Sequence, residues 1–234
     1  MSLLHIGQLW STWVPRFRSP QFAILLSLFV LLTVFVATGI TSGLDLRVSL
    51  YITKLPSGSE ILPILTISIA SLGDVVTLII VAVILSLIKR TRKQGLVLLI
   101  TILLIVILLT YMKPIIAREN PDHYSPFMSS NVTKDFVIEG DTLSPLSRGY
   151  SYPSNHVAIS TAFAFILGYS LSKRYKIGGW LIWIFPLIVA ITRILLVQHY
   201  VTDAIGGFLF GLILSITMSN VMHLGREVST PIST

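Results

Sequence analysis

Two features are scarce in this sequence: cysteine and charged side chains. The complete absence of cysteine excludes disulfide bonds and thiolate chemistry. Charged residues make up only 12% of the chain, about half of the fraction usual in soluble domains. Because hydrophobic residues make up 53%, too little polar surface remains to cover a soluble globule. We therefore predict an all-α, polytopic membrane protein.

Acidic residues are also few, and they leave a formal net charge of +7. Such a charge can indicate a nucleic-acid partner, but the basic residues here are scattered between apolar runs and do not form one stripe. Short basic segments beside apolar runs are typical of the cytoplasmic loops of membrane proteins. We therefore expect no nucleic-acid partner.

We interpret six apolar runs as membrane spans, which need about 20 residues; the fourth is continued N-terminally by the Ser154-Asn155-His156 turn. In order, they are Phe22–Ile40, Leu65–Ile88, Gly95–Met112, Val157–Leu171, Ile177–Thr192 and Ala204–Met222. The sequence thus predicts a single membrane domain, residues 1–234, built as a six-helix transmembrane bundle. Its remaining parts are an interfacial N-terminal segment (1–21), a polar connector (Thr41–Glu60), a long outer loop between the third and fourth spans (113–153) and a tail (225–234).

Six spans place both termini on the same side of the membrane. Ten of the seventeen basic residues then lie in short segments on that side: Arg16, Arg18, Lys89, Arg90, Arg92, Lys93, Lys173, Arg174, Lys176 and Arg226. The positive-inside rule makes this side cytoplasmic. We expect a bacterial inner-membrane protein whose long loop faces outwards.

This topology brings four ionisable residues to the same outer membrane edge. Lys113 and Arg193 end outgoing spans, and His156 and His199 begin ingoing ones. Ionisable groups at such positions are costly and therefore indicate function. Asp203 follows His199 by four residues, so the two share a helix face, and a carboxylate there can orient and stabilise an imidazole. Taken alone, the stretch from Arg193 to Asp203 is equally compatible with a helix cap that contains a buried salt bridge.

The segment before the fourth span predicts an anion site. Pro153 precedes Ser154-Asn155-His156, a pattern that favours a helix start, where free backbone N–H groups and the helix dipole attract anions. Ser154 adds a hydroxyl donor, and His156 can give a proton to a leaving oxygen. With Lys113 and Arg193 these groups would surround a phosphoryl group, whose transfer mainly needs positioning and charge neutralisation.

Three ordered motifs resemble those of the membrane-integrated type 2 phosphatidic acid phosphatases, whose site is related to those of vanadium haloperoxidases and bacterial acid phosphatases. The family pattern is Lys-x6-Arg-Pro, Pro-Ser-Gly-His and Ser-Arg-x5-His-x3-Asp. The third motif reads Thr192-Arg193-x5-His199-x3-Asp203, and the second has Asn155 in place of glycine. The first departs most, because Asn120-Pro121 stands where the family has Arg-Pro.

The resemblance implies a phosphatase that needs no metal or organic cofactor. In it, His199 attacks phosphorus to form a phosphohistidine, Asp203 orients His199, and His156 protonates the leaving group. The phosphate oxygens would be held by Lys113, Ser154, Asn155 (through its amide) and Arg193. Either Arg118 or Asn120 takes the place of the first-motif arginine.

A phosphate at the membrane edge, with its tail between helices, implies a lipid monoester or pyrophosphate as substrate. Candidates are phosphatidylglycerophosphate, phosphatidate, an isoprenyl pyrophosphate and a lipid A phosphate. A phosphotransferase that passes the group to another lipid remains an alternative. A transporter is less favoured, because the polar residues gather at one edge and no paired broken helices are evident. A metal site is disfavoured because Lys113 and Arg193 would repel a cation.

For three other residues we predict no catalytic role. Asp74, inside the second span, is expected to pair with a neighbouring helix or to lie near the outer edge without a catalytic role. Tyr150 and Tyr152 are expected to be interfacial anchors.

Overall fold

The computed structural model describes residues 15–56, 61–121, 126, 145–172 and 175–224. Most of the predicted interfacial segment 1–21, the middle of the outer loop 113–153 and the tail 225–234 lie outside the described residues. All statements below refer to the described parts of the chain.

Helices are the regular secondary structure of the described residues, and no β-strand occurs among them. The described residues form nine α-helices and a 3-10 turn at Pro145–Ser147. In chain order they are α1 (Pro20–Ala37), α2 (Ser42–Thr53), α3 (Ile61–Leu72), α4 (Val75–Leu87), α5 (Arg92–Ile116), α6 (Asn155–Ser172), α7 (Lys176–Leu181), α8 (Ile184–Leu195) and α9 (Val201–Val221). The predicted all-α class is therefore confirmed.

Several helical segments are long and apolar enough to cross a membrane. They are α1, α5, the α7–α8 segment Ile177–Leu195, and α9, with the bent pair α3–α4 as a fifth when it is counted as one span. The chain is therefore an integral membrane protein. The predicted number of six spans stays a prediction, because α6, the predicted fourth span, does not meet the same criteria within the described residues.

The second predicted span, Leu65–Ile88, is not one continuous helix. It breaks between α3 and α4, whose axes differ by 46°. Asp74 causes the break, because its backbone is extended and its carboxylate accepts the Val76 N–H, which makes it the N-cap of α4. Gly73 lies at the same bend, close enough to Val189 of α8 that a β-carbon would be 2.8 Å from that side chain.

The predicted polar connector Thr41–Glu60 contains the helix α2, which the sequence did not predict. Asp45, Ser49 and Ile52 form the buried face of α2, at the i, i+4, i+7 spacing of a helix. Its other side exposes leucines and a tyrosine, namely Leu44, Leu46, Leu50 and Tyr51. Two of the three buried residues are thus polar, whereas the exposed side is mostly apolar apart from Arg47, a distribution unlike that of a helix of a soluble protein.

The central helix of the bundle is α6, which contacts α5, α7, α8 and α9. Its closest neighbour is α9, because Gly207 and Gly211 lie directly against backbone atoms of Ser154 and Ala158. A side chain at either glycine would meet these atoms at 2.5 Å or less. The distance between α6 and α9 is thus set by backbone contact.

The two ends of the bundle are chemically distinct. At one end, Asn220 of α9 donates to the Pro15 carbonyl, and Lys93 of α5 donates to the His223 carbonyl. The residues of the three predicted motifs lie at the other end, where α5 and α8 finish and α6 and α9 begin. With 21 residues in α9, the two ends are roughly 30 Å apart.

Candidate active site

The start of α6 offers hydrogen-bond donors without helical partners. The helix begins at Asn155, as predicted from Pro153-Ser154-Asn155-His156, so the first N–H groups of this turn have no acceptor within the helix. Ser154 is completely buried, and its hydroxyl has no hydrogen-bond partner among the described residues. A buried hydroxyl beside the N–H groups of a helix start is the arrangement expected for binding an anion.

The start of α9 holds the histidine–aspartate pair. His199 lies just before the helix, and its Nδ1 is 3.7 Å from Asp203 Oδ2. The same oxygen accepts the backbone N–H of Tyr200 at 2.8 Å, which closes a capping box around the first turn. Asp203 is fully buried. The carboxylate is therefore held in place while it faces the imidazole.

A tight turn connects α8 to this pair. Arg193 lies in the last turn of α8, and its carbonyl accepts the Gln198 N–H at 3.2 Å. Val197 within the turn has a φ of +54°, an uncommon conformation for a β-branched residue. The turn reverses the chain, so that Arg193 and His199 both lie at this end of the bundle.

Lys113 and Arg193 bring positive charge to a buried position. Lys113 is in the last turn of α5, which continues past it to Ile116, and both side chains are buried. Their charges act on both histidine rings, and the two rings also act on each other electrostatically. The structure therefore brings together Lys113, His156, Arg193, His199 and Asp203, the residues that the sequence predicted at one membrane edge.

The environment of His199 keeps its ring neutral near physiological pH. Burial lowers the pKa of His199 below its ordinary value of 6.5, and the cations Arg193 and Lys113 act in the same direction. Asp203 acts to raise the pKa of His199 and so offsets part of this effect. A neutral imidazole has a free lone pair and can act as a nucleophile.

Asp74 lies beside His156. Its Oδ1 is 3.5 Å from His156 Nε2, and its Oδ2 caps α4. Of the two expectations for Asp74, the structure shows the pairing with a neighbouring helix. The sequence did not predict that Asp74 lies beside His156, although an acidic residue within an apolar run was a signal that could have suggested it.

The two candidates for the first-motif arginine are placed differently. Arg118 forms ion pairs with Asp203 at 2.8 Å and with Asp45 at 2.6 Å. Asn120 donates its backbone N–H to the Gly149 carbonyl, beside the pairing of Glu119 with Tyr150. These backbone contacts tie the two described ends of the outer loop together.

The family model of the PAP2 superfamily matches residues 94–226, more than half of the chain and all three motifs. The chain belongs to the PAP2 superfamily. The family predicted from the motifs is therefore confirmed.

Two known proteins are similar to this PAP2 chain over most of its length. The undecaprenyl-diphosphatase of Sulfolobus acidocaldarius is 27% identical over 197 residues, which cover 83% of this chain and 87% of the relative. A transmembrane PAP2-type phosphatidylglycerolphosphate phosphatase from Bacillus subtilis has a solved structure with a TM-score of 0.69 and 22% identity. That match covers 86% of this chain and 94% of the other. The structural likeness shows that the two share a fold.

One tyrosine of this PAP2 chain contradicts its prediction. Tyr152 was expected to be an interfacial anchor, but it is completely buried. Its hydroxyl lies 2.9 Å from the Thr33 hydroxyl of α1, and its ring fills the space left by Gly206 of α9. Tyr152 is therefore part of the packing that supports the α6 start.

No group of three His, Cys, Asp or Glu side chains within the described residues is arranged to hold a metal ion. Independence from metals stays a prediction.

Proposed function

We propose that this PAP2 protein is a phosphatase that hydrolyses a lipid phosphate monoester or pyrophosphate at the outer edge of the membrane. One observation carries the proposal: the starts of α6 and α9 are hydrogen-bonded to each other, and the buried cations Lys113 and Arg193 lie close enough to act on the two buried histidines there. This is the set of groups that phosphoryl transfer requires.

The first half of the proposed reaction transfers the phosphoryl group to His199. Because Nδ1 faces Asp203, the free Nε2 attacks phosphorus. A P–N bond forms as the P–O bond to the leaving group breaks, and His156 gives its proton to the leaving oxygen. Lys113, Arg193, Ser154 and the backbone N–H of Asn155 neutralise the charge on the other oxygens.

The second half returns the enzyme to its resting state. Water attacks the phosphohistidine, its proton passes to His156, and the P–N bond breaks to release inorganic phosphate. No step requires a metal ion.

The location of the site favours a lipid substrate. The site residues are at helix ends of an integral membrane protein whose outward faces are apolar, so a headgroup can enter while its tail stays between helices. The names of the relatives, an undecaprenyl-diphosphatase and a phosphatidylglycerolphosphate phosphatase, support isoprenyl pyrophosphate and phosphatidylglycerophosphate within the candidate substrates. Phosphatidate and lipid A phosphate complete the group to be tested.

The test is phosphate release by purified protein in detergent across these four lipids, with and without EDTA. We expect turnover that EDTA leaves unchanged, and a loss of roughly 10⁴-fold or more in His199→Ala, as is typical when a catalytic nucleophile is removed. Rapid quenching with labelled substrate should trap acid-labile phosphate on the wild type and none on His199→Ala.

The matched control is His223→Ala, because His223 is exposed at the opposite end of the bundle. It should retain full activity. Full activity in His199→Ala would refute the nucleophile assignment, and loss of activity with EDTA would refute metal independence.

A further inference from the structure

Two buried carboxylates from distant parts of the chain meet at the start of α9. Asp45 of α2 accepts the backbone N–H of Thr202 at 3.2 Å and also the Thr202 hydroxyl proton. Asp203, the next residue, is also buried. Two carboxylates so close together repel each other unless a cation lies between them.

Arg118 supplies this cation. One guanidinium nitrogen, Nη1, donates to Asp203 Oδ1 at 2.8 Å and to the Thr202 hydroxyl at 2.6 Å, while Nη2 donates to Asp45 Oδ2 at 2.6 Å. The guanidinium also stacks 4.2 Å from the centre of the Tyr200 ring. The planar fork of an arginine suits such a bridge, which the single ammonium of a lysine does not reproduce.

The backbone holds Arg118 in this position as well. The residue follows the left-handed Ala117 that ends α5, and its carbonyl accepts the Ser151 N–H at 2.7 Å. To reach a phosphate, the side chain would have to leave two buried carboxylates, and an unpaired buried charge is strongly unfavourable.

The bridge made by Arg118 restricts the carboxylate of Asp203. Arg118 holds one of its oxygens and the Tyr200 N–H holds the other, so the carboxylate cannot rotate. The oxygen held by Tyr200 is the one that faces His199. Removing Arg118 would leave Oδ1 of Asp203 unheld, and removing Asp45 would release the second arm of the Arg118 fork. Either change would loosen the carboxylate and, with it, the imidazole.

We propose that Arg118 and Asp45 are positioning residues that fix Asp203 against His199, and that Arg118 is not a phosphate ligand. This inference rests on the proposed function, because it assigns the support of the same nucleophile. It also makes α2, a helix whose other side is exposed, part of the support of the active site.

The experiment measures kcat, KM and the inhibition constant for inorganic phosphate in Asp45→Asn, Arg118→Ala and Lys113→Ala. A loosened Asp203 should lower kcat by roughly 10- to 100-fold in the first two variants, with KM and the phosphate inhibition constant within about 2-fold of wild type. Lys113→Ala, as a phosphate ligand, should raise the inhibition constant. The double variant Asp45→Asn/Arg118→Ala should be no worse than Arg118→Ala alone, because residues in one network are not additive.

Two controls separate positioning from general damage. Arg148→Ala removes an exposed arginine near the same loop end and should leave all three constants unchanged. Asp45→Asn keeps the shape of the side chain, so it remains informative if Arg118→Ala does not fold. The inference is overturned if Asp45→Asn keeps the wild-type kcat, or if Arg118→Ala raises the phosphate inhibition constant as Lys113→Ala does.

Failure of the proposed function gives a different result. In that case the wild type releases no phosphate, or His199→Ala is fully active. If the wild type is active and His199→Ala is not, the outcome for Arg118 and Asp45 bears on the positioning role alone.

Discussion

Replacing Gly207 by alanine tests whether contact between α6 and α9 sets the geometry of the site. A β-carbon at Gly207 would lie 2.5 Å from the Ser154 carbonyl oxygen, whereas ordinary contact begins at 3.4 Å, so the two helices would have to separate by about 0.9 Å. The Ser154 carbonyl cannot turn away without losing its hydrogen bond to the Ala158 N–H. The strain must therefore move a helix.

The expected effect on activity is larger than the effect on stability. Overpacking a well-packed interior costs about 1–3 kcal/mol, which lowers the melting temperature by several degrees. His156 is on the α6 side of this contact, while His199 and Asp203 are on the α9 side. Because a misplacement of about 1 Å can cost roughly 100-fold in rate, we expect kcat to fall by about 10- to 100-fold.

The assay is phosphate release from the best lipid substrate, together with thermal unfolding in the same detergent. Gly43→Ala is the matched control, because a β-carbon at Gly43 of α2 meets nothing within 4 Å. It should keep the wild-type kcat and gain up to about 1 kcal/mol of stability from the higher helix propensity of alanine. A Gly207→Ala variant with the wild-type kcat would refute the argument that backbone contact between α6 and α9 sets the distance between the two histidines.

Two further predictions concern the histidines. If His199 attacks as the neutral imidazole, kcat/KM is lost as the pH falls through the pKa of His199. Because burial lowers that pKa, the acid limb of the pH profile should have its midpoint below 6.5, and a midpoint above 6.5 would contradict the assignment. Asp74→Asn keeps a residue suited to the N-cap of α4 but removes the charge beside His156. We expect kcat to fall by about 10-fold for a substrate with a poor alkoxide leaving group, and much less for one with a good leaving group such as p-nitrophenolate. Equal losses on both substrates would exclude a role of Asp74 through His156.

The grouping of site residues at one end of the bundle could be predicted because spans of about 20 residues determine which helix ends share a side. Lys113 and Arg193 end helices, and His156 and His199 lie at or just before helix starts. The alternation of outgoing and ingoing spans therefore predicts that all four lie at the same membrane edge. The helix break at Asp74 could not be predicted in this way. One acidic residue in an apolar run is compatible with a buried pair or with a helix cap, and the structure shows that Asp74 is both.

Asp45 was missed for a different physical reason. Its partners Arg118 and Thr202 are 73 and 157 residues away in sequence, and nothing local marks a carboxylate that acts over such a separation. The charged residues Asp45, Arg47 and Lys54 led to the prediction that residues 41–60 are a polar connector. Asp45, Ser49 and Ile52 recur at helical spacing, but two of the three are polar. They therefore do not form the apolar stripe by which a helix is usually predicted. Tyr152 was placed at the membrane interface because its cavity depends on Gly206, a glycine 54 positions later.

Two glycines of α9 extend the spacing of the third motif beyond Asp203. Asp203, Gly207 and Gly211 follow one another at steps of four and therefore lie on one face of α9. All three contact α6: the Asp203 carbonyl accepts the Ser154 N–H at 3.0 Å, and the two glycines lie against Ser154 and Ala158. The face of α9 that carries Asp203, whose carboxylate faces His199, is thus the face that packs against the start of α6. The residues of the third motif and the glycines that pack against α6 thus lie on the same stripe, so a change at Gly211, which contacts Ala158, should affect the reaction without touching a proposed site residue.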